Sequence, residues 1–173
     1  ADMQIMIEQT LAERGYRHYE TSAFAQPGKS CMHNMNYWQY GDYLGIGAGA
    51  HSKISFRDKI IRQMRHKHPR QYLEQAMAGN ACLENLLATE QEVGPQDRVF
   101  EFMMNALRLT DGFDPGLFHT RTGLTIASIQ QQLTVAEQRG LIDWQHDCIR
   151  PTPAGRRFLN DLLGIFLKTT RNE

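Results

Sequence analysis

The sequence predicts an α/β layer followed by a helical module of winged-helix-like order. Three features carry this prediction. An apolar helical pattern stopped by Gly15 leads straight into an extended, aromatic segment, as at the α-to-β step of an α/β layer. Beyond Gly94-Pro95 the apolar spacing turns helical. Within that second half, three helical stretches, a hairpin and a terminal helix follow one another, the order of a winged helix.

Met3, Met6, Ile7 and Leu11 lie at helical spacing and predict an amphipathic helix ended by Gly15. Tyr16 to Phe24 has no helical period and predicts an extended segment, and Pro27-Gly28 predicts a turn. After the cluster Cys31 to Trp38, the run Tyr43 to His51 reads as a buried strand entering a glycine-rich end. Ile54–Phe56 and Ile60–Met64 predict a hairpin around Arg57-Asp58-Lys59, and Pro69 opens a helix through Met77 that Gly79-Asn80 would stop. Cys82 to Gly94 reads as a connector. Val99, Phe102, Met103, Ala106 and Leu107 mark the next helix, Pro115 to Thr120 a short one, and Ile126, Ile129, Leu133 and Ala136 a third, closed by Gly140. Leu141–Trp144 and Cys148–Arg150 predict a hairpin. A last helix from Pro153 would turn Phe158, Leu159, Leu162, Leu163 and Phe166 inward.

Nineteen Lys plus Arg balance nineteen Asp plus Glu over 173 residues, with ten of each sign before Gly94-Pro95 and nine of each after. Broad affinity for nucleic acid or an anionic membrane needs a basic excess, so no nucleic-acid partner is expected. Cys31, Cys82 and Cys148 are odd in number and too widely spaced for a zinc motif or a disulfide framework, which fits a reducing cytoplasm. No apolar run approaches the ~20 residues of a membrane span. The chain opens directly on a helical pattern, so it is expected to be part of a longer one.

Four features invite functional readings. His33 and Tyr37 are four apart and would share a helical face, with Trp38, Tyr40 and Tyr43 close behind. An imidazole beside aromatic walls suits a flat, metal-centred ligand. The plainer reading makes Tyr37 and Trp38 core aromatics and His33 a cap. Lys53 to Arg70 carries seven cations against one Asp, which suits carboxylate or phosphate groups or, more plainly, a charged strand edge. The run Gly45-Ile46-Gly47-Ala48-Gly49 lacks the Lys-Ser/Thr of a phosphate loop. The third helix of the second half, glutamine-rich with Arg139 as its cation, is poorly equipped for a DNA groove, and a winged-helix nucleic-acid module stands only as an alternative.

Three stretches together resemble a known family: Gly15-Tyr16 with Tyr19-Glu20, Ser22, Phe24-Ala25 and Pro27-Gly28; then His33-Asn34-Met35-Asn36-Tyr37-Trp38; then Tyr43-Leu44-Gly45-Ile46-Gly47-Ala48-Gly49-Ala50-His51. They look like the later part of the radical S-adenosylmethionine (SAM) proteins of the oxygen-independent coproporphyrinogen III oxidase-like family, and most like its haem chaperone branch, with its HNxxYW motif. Phe100 to Asn105, Arg121 to Leu124 and Thr152 to Asn160 resemble the family's carboxy-terminal domain.

The resemblance implies that residues 1–60 are the last α/β units of a radical SAM barrel. Residues 61–94 would be a basic hairpin, helix and connector, and 95–173 the winged-helix-like carboxy-terminal domain. It implies haem binding and delivery, with His33, Tyr37 and Trp38 as haem contacts, His33 as the iron ligand, and His51 near SAM. It also implies haem-accepting proteins as partners, a membrane-associated acceptor among them, and a homodimer. The alternative within the family is radical decarboxylation of a porphyrinogen. The family's [4Fe-4S] cluster sits on a CxxxCxxC triad that Cys31, Cys82 and Cys148 do not form. Cluster ligands and catalytic residues are therefore expected outside this stretch.

Overall fold

A computed structural model describes residues 2–78, 82–145 and 147–167. By contacts the chain divides into two compact units, one of residues 1–40 and 98–173, the other of residues 41–97. Gly79-Asn80, the expected helix stop, lies outside the described residues.

The first unit opens with α1 (Asp2–Glu13), which Gly15 ends at φ +79. Its apolar face is largely exposed: Met3, Met6 and Ile7 are 73, 59 and 42% exposed. The extended segment after it is not one strand but two, β1 (Arg17–Glu20) and β2 (Ala23–Ala25), paired antiparallel with an irregularity between His18 and Glu20. The fold-back at Thr21-Ser22 is stitched to a distant turn, where Thr21 N donates to Arg108 O (3.0 Å) and Thr110 N to Tyr19 O (3.2 Å). Then comes α2 (Met32–Trp38).

The rest of this unit is built on α4 (Pro95–Ala106), α5 (Pro115–Thr122) and α6 (Gln130–Gln138), the last preceded by a 3-10 turn (Ile126–Ile129). Then follow the hairpin β6 (Ile142–Gln145) and β7 (Cys148–Pro151), and the short helices α7 (Pro153–Arg157) and α8 (Leu159–Gly164). Its core is Phe102, Met103, Ala106, Leu107, Phe118, Leu133, Ile149, Leu162 and Phe166, each at most 1% exposed. Phe102 meets Phe113 and Phe118 edge-on, with centroids 5.0 and 5.1 Å apart, a favoured aromatic geometry. The expected single terminal helix breaks at Phe158 (φ −112, ψ 43), whose ring is half exposed rather than inward.

The second unit is a three-stranded antiparallel sheet in the order β3 (His51–Ser55), β4 (Ile60–Arg65), β5 (Leu87–Glu92), with α3 (Pro69–Met77) after β4. The connector reading of Cys82–Gly94 is corrected here, since half of it is β5. Its polar sequence shows no alternation, and pairing with β4 makes it a strand. The reading of Tyr43–His51 as a buried strand is also corrected. Tyr43 makes one bridge, to Lys53, whereas Leu44 and Ile46 are 72 and 89% exposed, and Gly47 and Gly49 break the extended path with φ of +104 and +72.

The basic stretch divides between surface and interior. Arg57, Lys59, Lys67 and Arg70 are exposed, whereas Lys53 and Arg65 are 1 and 8% exposed and Arg62 donates to the Tyr43 hydroxyl. Lys53 Nζ lies 2.9 Å from Asp42 Oδ1 and 3.0 Å from Ser55 Oγ, and β5 lays Glu90 and Glu92 across from Gln63 and Ile61. Burial pulls the Asp42 carboxyl up, but hydrogen bonds from Lys53 and Ser55 outweigh it and hold the group below its ordinary value of 3.8. A depressed carboxylate stabilises the fold fully above that value, and the contribution is lost as pH falls through the lower folded value. Asp42→Asn should cost about 1 kcal/mol at neutral pH, by removing the charge that faces buried Lys53 from a partly solvated position. The gap from wild type should narrow below about pH 4. Denaturant midpoints measured between neutral and acid pH check this, and a gap independent of pH would refute it.

No described helix is long and apolar enough to cross a membrane.

Candidate functional site

The candidate site is built on α2, seven residues with Cys31 at its N-cap. The i, i+4 spacing does what the sequence predicts. The His33 ring stands edge-on to Tyr37, with centroids 5.0 Å apart and planes at 76°. His33 is exposed, and among the described residues neither of its ring nitrogens has a hydrogen-bond or ionic partner. Met32 beside it is 80% exposed.

The other end of α2 is anchored inward. Trp38 carries the Arg108 guanidinium 4.3 Å from its ring centre, a contact worth about 1 kcal/mol. Arg108 Nη2 in turn donates to Glu20 Oε2 (3.3 Å) and Ser22 Oγ (3.1 Å), and the Glu20 side chain is 3% exposed. A buried carboxylate needs such a partner to remain charged. Two residues on, Tyr40 turns the chain at φ +53, a strained conformation for a bulky residue. It is held there by burial, by Phe102 (6.0 Å) and by its hydroxyl donating to Glu101 Oε2 (2.7 Å).

Of the predicted haem contacts, then, the structure brings His33 and Tyr37 together and engages the Trp38 ring with Arg108. Among the described residues the buried Trp38 indole nitrogen has no partner. Glu20, Arg108 and Glu101 were not singled out from the sequence as site residues, and Tyr40 was counted only among the aromatic rings near His33. The one local signal was Glu20, a lone carboxylate in an aromatic segment.

His51 lies in the other unit, exposed at the first position of β3 and paired in register with Met64. In the glycine-rich loop before it, the three glycine amides are already engaged. Gly45 N donates to Ser52 Oγ (3.0 Å), Gly47 N to Tyr72 Oη (3.3 Å) and Gly49 N to His66 O (2.8 Å). Gly45 is fixed by close approach, since a Cβ there would fall 2.2 Å from His51 O.

Tested against these residues, haem fits α2. An exposed imidazole with free nitrogens and an adjoining aromatic edge is the donor set such a group takes. One exposed imidazole beside a loop whose glycine amides are engaged does not make a SAM pocket. Among the described residues no three His, Cys, Asp or Glu side chains gather as metal ligands, and the three free cysteines do not fit a [4Fe-4S] cluster. Cys148 donates to Asp111 O, and burial pushes its thiol up, away from the thiolate form. A cavity of about 710 Å³ in the first unit is lined by Ile5, Glu8, His18, Arg156, Arg157 and Phe158 among others, and by none of the predicted site residues.

Comparison with known proteins bears on this geometry. Residues 93–158 match the family described as the HemN C-terminal domain. Over 160 residues the chain is 40% identical to the heme chaperone HemW of Escherichia coli (strain K12), covering 92% of this chain and 40% of that protein. It is 41% identical to the heme chaperone HemW of Haemophilus influenzae, again over 92% of this chain and 39% of the relative. The chain thus spans about two fifths of the length of these curated relatives. Among solved structures, the radical SAM enzyme coproporphyrinogen III oxidase (HemN) from Escherichia coli matches with a TM-score of 0.64 at 18% identity, over 95% of this chain and 40% of that one. That likeness bears on the fold alone. Over most of its length the chain is thus a homologue of proteins named heme chaperones, and residues 93–158 carry the match to the HemN C-terminal domain.

Proposed function

We propose that this chain carries the haem-contacting helix of a haem-binding and haem-delivery protein, with His33 as the iron ligand and Tyr37 beside it. The observation that carries the reading is the exposed His33 ring, free at both nitrogens and set edge-on to Tyr37. The relatives named heme chaperones support it. Bound haem would supply an iron that the His33 imidazole could ligate. On this side, Tyr37 limits rotation of the His33 ring, and Trp38 ties the helix down through Arg108. An exposed ligand on a short helix suits a carrier, because haem held at the surface can be passed to a haem-accepting protein.

In the same reading, residues 1–60 correspond to the last units of a radical SAM barrel, 61–94 to the linking hairpin and helix, and 95–173 to a winged-helix-like domain. SAM, with His51 near it, and the cluster belong to the longer protein, and no step is assigned to them here. Radical decarboxylation and nucleic-acid binding have no observation of their own in their favour.

Titration with haemin, followed at the Soret band, tests the reading. His33→Ala should weaken binding about tenfold or more, the loss of one good ligand contact. Binding unchanged in that variant would remove His33 from the site.

A further inference from the structure

We propose that Arg108 is the positioning residue of the haem helix, acting on His33 through Trp38. The inference rests on the haem reading of α2 and adds a residue 70 positions away, in the turn after α4.

Three segments converge on this side chain. Its backbone carbonyl accepts from Thr21 N (3.0 Å) and its own N–H donates to Asn105 O (3.1 Å), so the root of the side chain is fixed. Its Nη2 bonds Glu20 and Ser22 of the β1–β2 hairpin, and its guanidinium lies on the indole of Trp38 in α2. The Nε of Arg108 is buried without a partner. A guanidinium oriented only for ion pairing would place that donor too. Here the guanidinium carbon sits 4.3 Å over the indole centre, and among the described residues that donor is left unused. A planar cation can hold a carboxylate and cover a ring at once, whereas a lysine ammonium holds the carboxylate alone. The charge of Arg108 therefore serves Glu20 and its shape serves Trp38. Since His33 lies five residues before Trp38 on the same short helix, the orientation of that helix is set at its Trp38 end.

The test is Arg108→Lys, which keeps the charge facing Glu20 and removes the planar stack. Placing it in a Trp144→Phe background leaves Trp38 as the single indole. In the protein without haem, Trp38 emission should shift to the red, and the amides of residues 35–39 should exchange about fivefold faster, as expected for losing one cation–π contact. With haemin, affinity should fall about fivefold, and adding His33→Ala should cost far less than it does in wild type, because coupled residues are not additive. Unchanged emission and exchange would overturn the proposal. So would wild-type haemin affinity despite a loosened Trp38, or full additivity with His33→Ala, which would mark a general stability effect. If Arg108→Lys does not fold, Trp38→Leu removes the same contact from the other side and should give the same exchange and haemin results. Failure of the haem reading shows separately, as a His33→Ala variant that binds like wild type while the readings without haem still decide Arg108's hold on α2.

Discussion

Phe102→Ala is expected to destabilise the protein by about 3–5 kcal/mol, a large share of the 5–15 kcal/mol that holds a typical domain. Phe102 has no exposed surface and stands at the centre of an aromatic group, with Tyr40, Phe113 and Phe118 at 6.0, 5.0 and 5.1 Å, all near edge-on. Truncation removes the transfer energy of the ring and leaves a void that four elements would have to close. It also removes the packing that keeps Tyr40 in its positive-φ turn, so α2 should lose amide protection beyond the global change. Denaturant unfolding measures the first effect and hydrogen exchange the second. Phe56→Ala, at a ring 51% exposed, should cost under about 1 kcal/mol in the same assay. A Phe102→Ala cost below about 1.5 kcal/mol would mean that the cluster collapses into the gap and is not the keystone of this unit.

The parts of the fold readable from the sequence are those whose cause is local. Helix α3 runs Pro69–Met77 as Pro69 at its first turn predicts, and the β3–β4 hairpin follows from apolar runs around Arg57-Asp58-Lys59. The strand β5 was missed because Leu87-Ala88-Thr89-Glu90-Gln91-Glu92 has no alternation, and only β4 beside it supplies the reason to be extended. The apolar spacing of α1 predicts its helix, but it says only that a face is apolar, not that this chain covers it. The site divides along the same line. The His33–Tyr37 pair is one helical turn and was legible, whereas Glu20, Arg108 and Trp38 join residues up to 88 apart that no local pattern connects. Cations counted along Lys53 to Arg70 suggested an anion site, and the fold instead uses Lys53 and Arg65 inside the unit.

Gly155→Ala should be as damaging as any core truncation, for a different reason. A Cβ at Gly155 would sit 1.8 Å from Leu141 O and 2.9 Å from Leu141 C, both backbone atoms, so no side chain can swing aside. The two chains come this close because Thr152 fastens the start of α7 to the turn after α6. Its N–H donates to Leu141 O (3.0 Å), its hydroxyl donates to Gly140 O (2.7 Å), and the same hydroxyl accepts the capping bond from Gly155 N (3.0 Å). Making room for a methyl group means prising α7 from that turn and losing these bonds together, at more than about 3 kcal/mol. Gly164, at the end of α8, has nothing within 4 Å of an added Cβ. Gly164→Ala should therefore stabilise by about 0.5 kcal/mol, through helix propensity and a less free unfolded chain. Thermal melts read both, at about 2–4 °C per kcal/mol for a chain of this size. The two substitutions add the same methyl to the same terminal region, so their opposite signs isolate the close approach at Leu141 as the cause. A Gly155→Ala protein that melts like wild type would show that α7 can back away from the turn without loss, and that Thr152 is not the joint holding it.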